Sequence, residues 1–390
     1  MDKIEEALTR GVQQVLPDKK ALAELMAKRK IRLYQGFDPT GTKLHIGHAV
    51  GFRKLRQFQD LGHEVIFVIG DGTGQAGDPS GKKTPRDRFY SSEELRKNGK
   101  DYVMQAAKIV RFDGPNPVKI MYNGDWLNKL TLPEILEIAG HFSLSQMLER
   151  DLYQERLKSG TELSLREFLY PLLQGYDSVA MKVDLELGGS DQIFNMLAGR
   201  KLVKEYLNRE KFVMTVPLLT DSTGAKIGKS EGNVIALTDA PNDFYGKIMT
   251  LPDDSIINCF TLLTDKPEEE INEIEKALEK GDNPIKFKKQ LAFDLTKWLN
   301  SEKDALDAQK FFEQTFQERA PEFNIKVKAE ENAAKTLIPF SPRQSMSSVK
   351  ELIRQGAIDL NGEKLTDGSI KLKVGDKIKV GDRTFLKVEK

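Results

Sequence analysis

Between residues 31 and 218, five short apolar runs alternate with stretches of helical periodicity, and that alternation leaves few folds open. The runs fall at 31–35, 64–69, 118–122, 183–187 and 212–218, and the helical stretches at 45–61, 91–110, 132–140 and 192–207. Strand and helix in alternation is the pattern of a parallel sheet covered on both faces, so the expected fold class is α/β with a doubly wound parallel sheet. One interval is too long. Residues 126–182 exceed what a single crossover needs, so a helical insertion is expected there, placed to carry an interface.

At 390 residues the chain exceeds one ordinary core, and its pattern changes along its length. The sheet domain is expected over 1–235, and a helical domain over 236–325, with amphipathic stretches at 266–280 and 284–300. Residues 326–342 lose periodicity and contain Pro339 and Pro342, which reads as a linker. Short strand-like pieces and tight glycine turns then mark a small domain over 343–390.

Lysine and arginine number 60 against 59 acidic residues, so net charge by itself names no partner. The distribution says more, because residues 341–390 hold 11 basic and 7 acidic side chains, the mark of a basic module meeting a polyanion. A single cysteine, Cys259, excludes an intramolecular disulfide. The N-terminus lacks the apolar core of a signal peptide, and no apolar run approaches the about 20 residues of a membrane span, so a cytoplasmic protein is expected.

The strongest local signal is Tyr34-Gln-Gly-Phe-Asp-Pro-Thr-Gly-Thr-Lys-Leu-His45-Ile-Gly-His48, which joins the first strand to the first helix. In an open α/β sheet that junction faces the ligand crevice. Gly36 and Gly47 would let backbone approach a nucleotide closely, and His45 and His48 share one helix face. Donors from Thr40, His45 and His48 beside a helix N-terminus suit an anion and the oxygens of a transferring phosphoryl group. The bland alternative is a pair of surface histidines, but two of only four histidines in the chain stand in this tract. Zinc needs three or four ligands, and Cys259, His63 and His141 show no ligand spacing.

A second tract, Asp71-Gly72-Thr-Gly74-Gln-Ala-Gly77-Asp78-Pro-Ser-Gly-Lys82, contains G-x-G-x-x-G. The dinucleotide fingerprint needs a helix opening across these glycines, whereas Asp78-Pro79-Ser80-Gly81 breaks it. It therefore reads as a shaped loop presenting Asp78, Lys82 and Arg86. A third tract, Thr223-Gly-Ala-Lys226-Ile-Gly-Lys229-Ser230, fails the P-loop motif at Thr223, yet its two lysines could close over a triphosphate; a solvated loop is the alternative. Tyr170, Gln174 and Asp177 are spaced to share one helix face, either as a site or as an outward polar stripe. Gly188-Gly189-Ser190-Asp191-Gln192 ends the fourth strand as a second loop on the same sheet edge, or as an ordinary turn with Asp191 near the cap.

Together these tracts resemble the class I aminoacyl-tRNA synthetases, with His45-Ile-Gly-His48 as the first signature and Lys226-Ile-Gly-Lys229-Ser230 as a variant of the lysine loop. Tyr34-Gln-Gly-Phe-Asp-Pro-Thr, Gly77-Asp-Pro-Ser-Gly-Lys82, Tyr170-Pro-Leu-Leu-Gln174-Gly-Tyr-Asp177 and Gly188-Gly-Ser-Asp-Gln192 resemble the bacterial-type tyrosine-specific members. Two departures stand out: Ile193-Phe194 in place of Trp-Gly, and Ile227-Gly228 in place of Met-Ser, which mark a second bacterial branch.

The resemblance implies a Rossmann-like catalytic domain, an α-helical anticodon-binding domain and a small α+β RNA-binding domain. It also implies a homodimer acting on L-tyrosine, ATP and tRNA(Tyr), with no permanently bound cofactor and Mg²⁺ accompanying ATP. Tyr34 and Asp177 would contact the substrate phenol, and Asp78, Tyr170 and Gln174 its ammonium, with Gln192 near the carboxylate. Gly36, Asp38, Gly47, Gly189 and Asp191 would lie at the nucleotide, with His48 nearby. Thr40, His45, Lys82, Arg86, Lys226 and Lys229 would serve the phosphates. The C-terminal residues resemble an RNA-binding domain shared with a ribosomal small-subunit protein, where Lys350 and Arg354 would meet phosphates.

The implied reaction is attack of the tyrosine carboxylate on the α-phosphorus of ATP, then transfer of the tyrosyl group to the terminal ribose of the tRNA. A carboxylate is already a nucleophile at neutral pH, so alignment and charge stabilisation are the work required. The rivals are a nucleotidyltransferase acting on another small molecule, a non-catalytic RNA-binding relative and a tryptophan-specific enzyme, which Tyr34 and Asp177 disfavour. Lys229→Ala is expected to slow adenylate formation far more than it weakens tyrosine binding; equal losses in both, measured by single-turnover kinetics and equilibrium binding, would contradict a late-acting lysine loop.

Overall fold

A computed structural model describes residues 2–41, 43–80, 88–224, 226–227, 234–317, 323, 325–381 and 384–389. The strands are β1 (Gln14–Leu16), β2 (Arg32–Phe37), β3 (Glu64–Ile69), β4 (Lys119–Tyr122), β5 (Leu185–Gly189), β6 (Phe212–Val216), β7 (Ile325–Lys328), β8 (Ile358–Leu360), β9 (Glu363–Lys364), β10 (Lys377–Val380) and β11 (Thr384–Glu389). The described chain divides into two compact units, Met1–Asp239 with Leu251–Leu291, and Ala240–Thr250 with Ala292–Lys390.

The first unit is built on a six-stranded sheet of order β1-β6-β5-β2-β3-β4. Strands β2 to β6 are parallel, and only β1 runs antiparallel, against β6. Strand β3 reads Glu-Val-Ile-Phe-Val-Ile, with every residue after the first buried, because a parallel strand is covered on both faces. The chain winds from β2 through β3 to β4 on one side and then returns to β5 on the other side of β2. That reversal opens a crevice at the carboxyl ends of β2 and β5. The expected α/β doubly wound, Rossmann-like sheet is what the chain forms. Strand β1 escaped the sequence pattern: it is three residues long, and its pairing with Val213–Thr215 depends on a partner about 200 residues away.

The helices begin with α1 (Lys3–Thr9), α2 (Lys19–Lys28), α3 (Ile46–Asp60), α4 (Thr73–Ala76) and α5 (Ser92–Ala106). Five more lie between β4 and β5 where the insertion was expected: α6 (Gly124–Leu127), α7 (Leu132–Gly140), α8 (Leu144–Leu148), α9 (Asp151–Lys158) and α10 (Leu165–Ala180). Helix α10 carries Pro171 in its interior, which frees the Glu167 carbonyl from its helical bond; the buried Tyr153 hydroxyl donates to that carbonyl at 3.0 Å. The Glu167 carboxylate also closes a capping box with the Ser164 N–H and pairs with the buried Arg156 guanidinium at 3.0 Å. Helix α11 (Ile193–Leu207) lies against α10, where a Cβ on Gly175 would stand 3.0 Å from the Gly199 amide nitrogen, so glycine is needed for the close approach.

The remaining helices are α12 (Pro241–Met249), α13 (Ile256–Leu263), α14 (Glu268–Glu279), α15 (Pro284–Leu299), α16 (Glu302–Phe312), α17 (Ala333–Leu337) and α18 (Met346–Arg354). The span expected as one helical domain, 236–325, is divided: α13 and α14 belong to the sheet unit, α12 and α16 to the second. The physical reason is visible at the end of α13. Arg10 donates to the carbonyls of Thr264 and Lys266 at 2.7 and 2.6 Å, and Arg53 donates to Thr264 at 2.8 Å, which ties this helix C-terminus to the sheet unit.

Residues 326–342 are likewise a correction, because they form no free linker. β7 pairs with β11 in a five-stranded sheet of order β7-β11-β10-β8-β9, and Val327, Ala333, Ala334 and Leu337 are buried with Val349, Ile378 and Val388. A strand that buries one residue in four and a five-residue helix leave too short a pattern for periodicity to reveal. No helix among the described residues is long and apolar enough to cross a membrane.

Glu167→Ala should lower the unfolding free energy by about 3–5 kcal/mol in denaturant titration, since it strands a buried guanidinium and removes a helix cap together. A change near that of a surface substitution would show that Arg156 finds water instead.

Candidate active site

At the carboxyl ends of β2 and β5 the sheet unit holds a cavity of about 430 Å³. All the described residues expected in a catalytic, tyrosine or nucleotide role line it: Tyr34, Gly36, Asp38, Thr40, His45, Gly47, His48, Asp78, Tyr170, Gln174, Asp177, Gly189, Asp191, Gln192 and Lys226. Lys82, Arg86 and Lys229 lie outside the described residues.

One part of the cavity is deeply buried and polar. Tyr34 is buried on β2, its hydroxyl 3.1 Å from Ser178 Oγ and 3.4 Å from the Gln174 carbonyl. Asp177, 2% exposed on α10, accepts from Asn123 Nδ2 at 3.0 Å and from Trp126 Nε1 at 2.8 Å. Burial pushes its carboxyl well above the usual carboxylate range, although those two donors oppose the shift. Burial, reinforced by Glu186 and Asp177, also raises the Tyr34 phenol, so Tyr34 is a hydroxyl throughout the working pH range.

A second cluster gathers acceptors. Asp78 accepts from Gln192 Nε2 at 2.8 Å and from the Ser80 N–H at 2.9 Å. Asn195 Nδ2 reaches Gln174 Oε1 and Gln192 Oε1, each at 3.0 Å. Tyr170 donates to Asp38 Oδ2 at 3.0 Å, and Thr73 donates to Asp38 Oδ1 at 2.7 Å. The Tyr170 phenol is raised by burial and then by Asp38 and Asp78, so it too remains a donor. These carboxylates and amide oxygens suit a cationic group.

The opposite side suits an anion. His45 is the N-cap of α3: its Nδ1 accepts from the Gly47 N–H, and His48 Nδ1 accepts in turn from the His45 N–H, both at 3.2 Å. With Nδ1 the acceptor in each ring, the neutral imidazoles carry their donors on Nε2, beside the positive end of the helix. Lys226 pairs with Asp191 at 2.9 Å, both partly exposed, an ion pair of at most about 1 kcal/mol and readily exchanged for a phosphate. A Cβ on Gly36 would meet nothing within 4 Å, so its side-chain space is cavity, whereas one on Gly189 would stand 2.8 Å from Asp191 Oδ1.

The G-x-G-x-x-G tract forms one helical turn, α4, ended by Gly77 at φ +87°, and Asp78 follows it into the cavity, as its reading as a shaped loop expected. Of the departures from the tyrosine-specific pattern, Ile227 is buried in the cavity lining and Phe194 packs under the Arg150 guanidinium at 5.1 Å. Gly228 lies outside the described residues.

Asn123, Trp126, Ser178, Glu186, Asn195 and Lys211 were missed from sequence. Two had a signal: Glu186 is an acid inside an apolar strand, and Lys211 a cation at the head of another, and neither is tolerated in a buried sheet without a partner. In the second unit Lys350 and Arg354 are exposed on α18, and Arg354 pairs with Glu351 at 2.7 Å.

The family model for class I tRNA synthetases (W and Y) matches residues 26–317. A tyrosine–tRNA ligase of Thermotoga maritima is 40% identical over 390 residues, covering 98% of this chain and 96% of its own. Tyrosine–tRNA ligase 2 of Vibrio cholerae is 39% identical over 399 residues, covering 100% and 99%. Among solved structures, a C-terminally truncated mitochondrial tyrosyl-tRNA synthetase of Aspergillus nidulans superposes with TM-score 0.66 at 24% identity, over 80% of this chain and 94% of that one. The tyrosyl-tRNA synthetase of Archaeoglobus fulgidus complexed with L-tyrosine superposes with TM-score 0.61 at 19% identity, over 79% and 99%; these two likenesses speak for the fold. Matched over its whole length by such relatives, with the signature tracts drawn into one cavity, the chain belongs to the class I tRNA synthetases and, within them, to the bacterial-type tyrosyl-tRNA synthetase family.

Proposed function

We propose that this protein is a tyrosine–tRNA ligase: it condenses L-tyrosine with ATP, releasing pyrophosphate, and passes the tyrosyl group to the 3′-terminal ribose of tRNA(Tyr). One observation carries the reading. Side chains from five separate tracts, Tyr34 to His48, Asp78, Tyr170 to Asp177, Gly189 to Gln192 and Lys226, meet in one cavity with a buried polar end and an end that suits an anion.

The phenol of tyrosine enters between Tyr34 and Asp177, its ammonium against Asp78, Tyr170 and Gln174, and its carboxylate beside Gln192. The nucleotide lies along Gly36, Asp38, Gly47, Gly189 and Asp191, with His48 close by. Thr40, His45 and Lys226, with Lys82, Arg86 and Lys229, meet the phosphates, and ATP arrives with Mg²⁺. The chemistry needs no base or covalent intermediate, because the carboxylate attacks as it stands; rate comes from holding it in line and from donors aimed at the charge that grows on the phosphate. On the second unit, Lys350 and Arg354 meet tRNA phosphates, Arg354 by exchanging Glu351 for a stronger anion.

Phenylalanine would leave Tyr34 and Asp177 facing a ring with no hydroxyl, and each hydrogen bond left unmade at this buried end costs about 1–3 kcal/mol. Tyrosine-dependent exchange of labelled pyrophosphate into ATP, with tryptophan, phenylalanine and no amino acid as controls, is expected to proceed with tyrosine alone. Tyr34→Phe should raise KM for tyrosine about tenfold and narrow the preference over phenylalanine. No exchange with any amino acid would overturn the reading in favour of another nucleotidyl transfer or an RNA-binding role.

The insertion leaves Leu132, Leu136, Leu144 and Leu165 each more than 60% exposed, and its Ile138 and Leu172 line, with Phe89, an apolar groove of about 280 Å³. Exposed leucines in this number mark an interface, and a second copy of the chain, in a cytoplasmic homodimer, is the partner proposed. Sedimentation should give a dimer for the native chain and a monomer for Leu136→Glu/Leu165→Glu; a native monomer would remove the proposal.

A further inference from the structure

Beneath the tyrosine end of the cavity lies an ion pair that no expected role accounts for. Lys211, fully buried just ahead of β6, donates to Glu186 Oε2 and, at 3.1 Å, to the carbonyl of Met196. Glu186, 2% exposed on β5, lines the cavity. Burying both charges is costly, and an apolar pair of similar volume would ordinarily serve stability as well or better. Room has been left for it. A Cβ on Gly199 would stand 2.5 Å from Lys211 Nζ and 2.9 Å from Ser178 Oγ, so α11 carries no side chain where the ammonium passes.

The consequence lies in the direction of the surrounding hydrogen bonds. An ionised carboxylate is an acceptor only, so whatever meets Glu186 must donate. Gln174 Nε2 donates to Glu186 Oε1 at 2.9 Å, which turns Gln174 Oε1 away, toward Asn195 and the acceptor cluster. Ser178 Oγ donates to Glu186 Oε2 at 3.4 Å, which leaves Ser178 as the acceptor for the Tyr34 hydroxyl at 3.1 Å. Tyr34 then has only acceptors around its proton, Ser178 Oγ at 3.1 Å and the Gln174 carbonyl at 3.4 Å, and keeps an oxygen lone pair for a hydroxyl entering the cavity. Without Lys211 the buried Glu186 carboxylate would have no cation beside it, and nothing would hold it as the common acceptor for Gln174 and Ser178.

We infer that Lys211 and Glu186 are positioning residues for the amino acid: the ion pair sets which way Gln174 and, through Ser178, Tyr34 present their polar atoms to tyrosine. The inference rests on the tyrosine-activating reading of the cavity. Lys211 reaches the polar atoms of the cavity through Glu186, and Glu186 reaches them through Gln174 and Ser178, so the effect belongs to recognition of tyrosine and not to ATP.

The test uses the full chain and pyrophosphate exchange, with thermal unfolding as the check on folding. Glu186→Gln/Lys211→Met removes both charges without leaving either unpaired, and replaces an obligatory acceptor with an amide that can bond in either sense. It is expected to raise KM for tyrosine about tenfold, the loss of one directed hydrogen bond, with kcat and KM for ATP unchanged. Ser178→Ala, which alters no charge, is expected to lower the tyrosine-to-phenylalanine ratio of kcat/KM. A folded double variant with the native KM for tyrosine, or a Ser178→Ala enzyme with the native ratio, overturns the inference. Absence of tyrosine-dependent exchange in the unaltered protein overturns the functional reading instead.

Discussion

The site depends on β2 being held in register between two parallel neighbours. Tyr34 lies opposite Ile66 of β3 on one side and Glu186 of β5 on the other, and this alignment brings the carboxyl ends of β2 and β5 level. Partners across parallel strands project on the same face, so Tyr34 and Glu186 rise together toward α10. The same strand continues into Asp38 and, through a short loop, into the His45 cap of α3. A slip of one residue would turn Tyr34 to the other face and take the phenol end of the cavity with it.

Around that strand the cavity is organised by what its buried charges permit. Glu186 adds to the burial that raises the Asp177 carboxyl, and Asp177, Glu186 and Asp78 are each met by a different set of donors: an amide and an indole, an amide and an ammonium, an amide and a backbone N–H. In a low dielectric such donors fix orientation as well as offsetting burial. A ligand hydroxyl or ammonium entering this end meets groups whose direction has been settled beforehand, which is the preorganisation that selective binding requires.

The insertion supplies the roof. Helix α10 carries Tyr170, Gln174 and Asp177 on one face, and its position is set by Glu167 at its start, by the bond that Pro171 leaves to Tyr153, and by the close crossing of α11 at Gly175. The insertion that carries these three residues also exposes, on α7, α8 and the start of α10, the leucines of the proposed dimer contact.

Much of this was legible in the residues. The alternation of strand and helix implied the doubly wound sheet, because a covered parallel strand must be apolar throughout, and the tracts around His45, Asp78, Asp177, Asp191 and Lys226 marked the cavity, because the chemistry demands those side chains in those patterns. What periodicity could not carry was short or remote: β1, β7 and α17 are too brief to show a period, and α13 joined the sheet unit through Arg10 and Arg53, more than 200 residues away in sequence. The partners of Asp177 and the Lys211–Glu186 pair belong to the same class. Sequence alone determined which chemical groups the protein would have to place; which of them would be dry, and therefore which charges needed partners and which hydrogen bonds had a fixed direction, was decided only when folding removed the water.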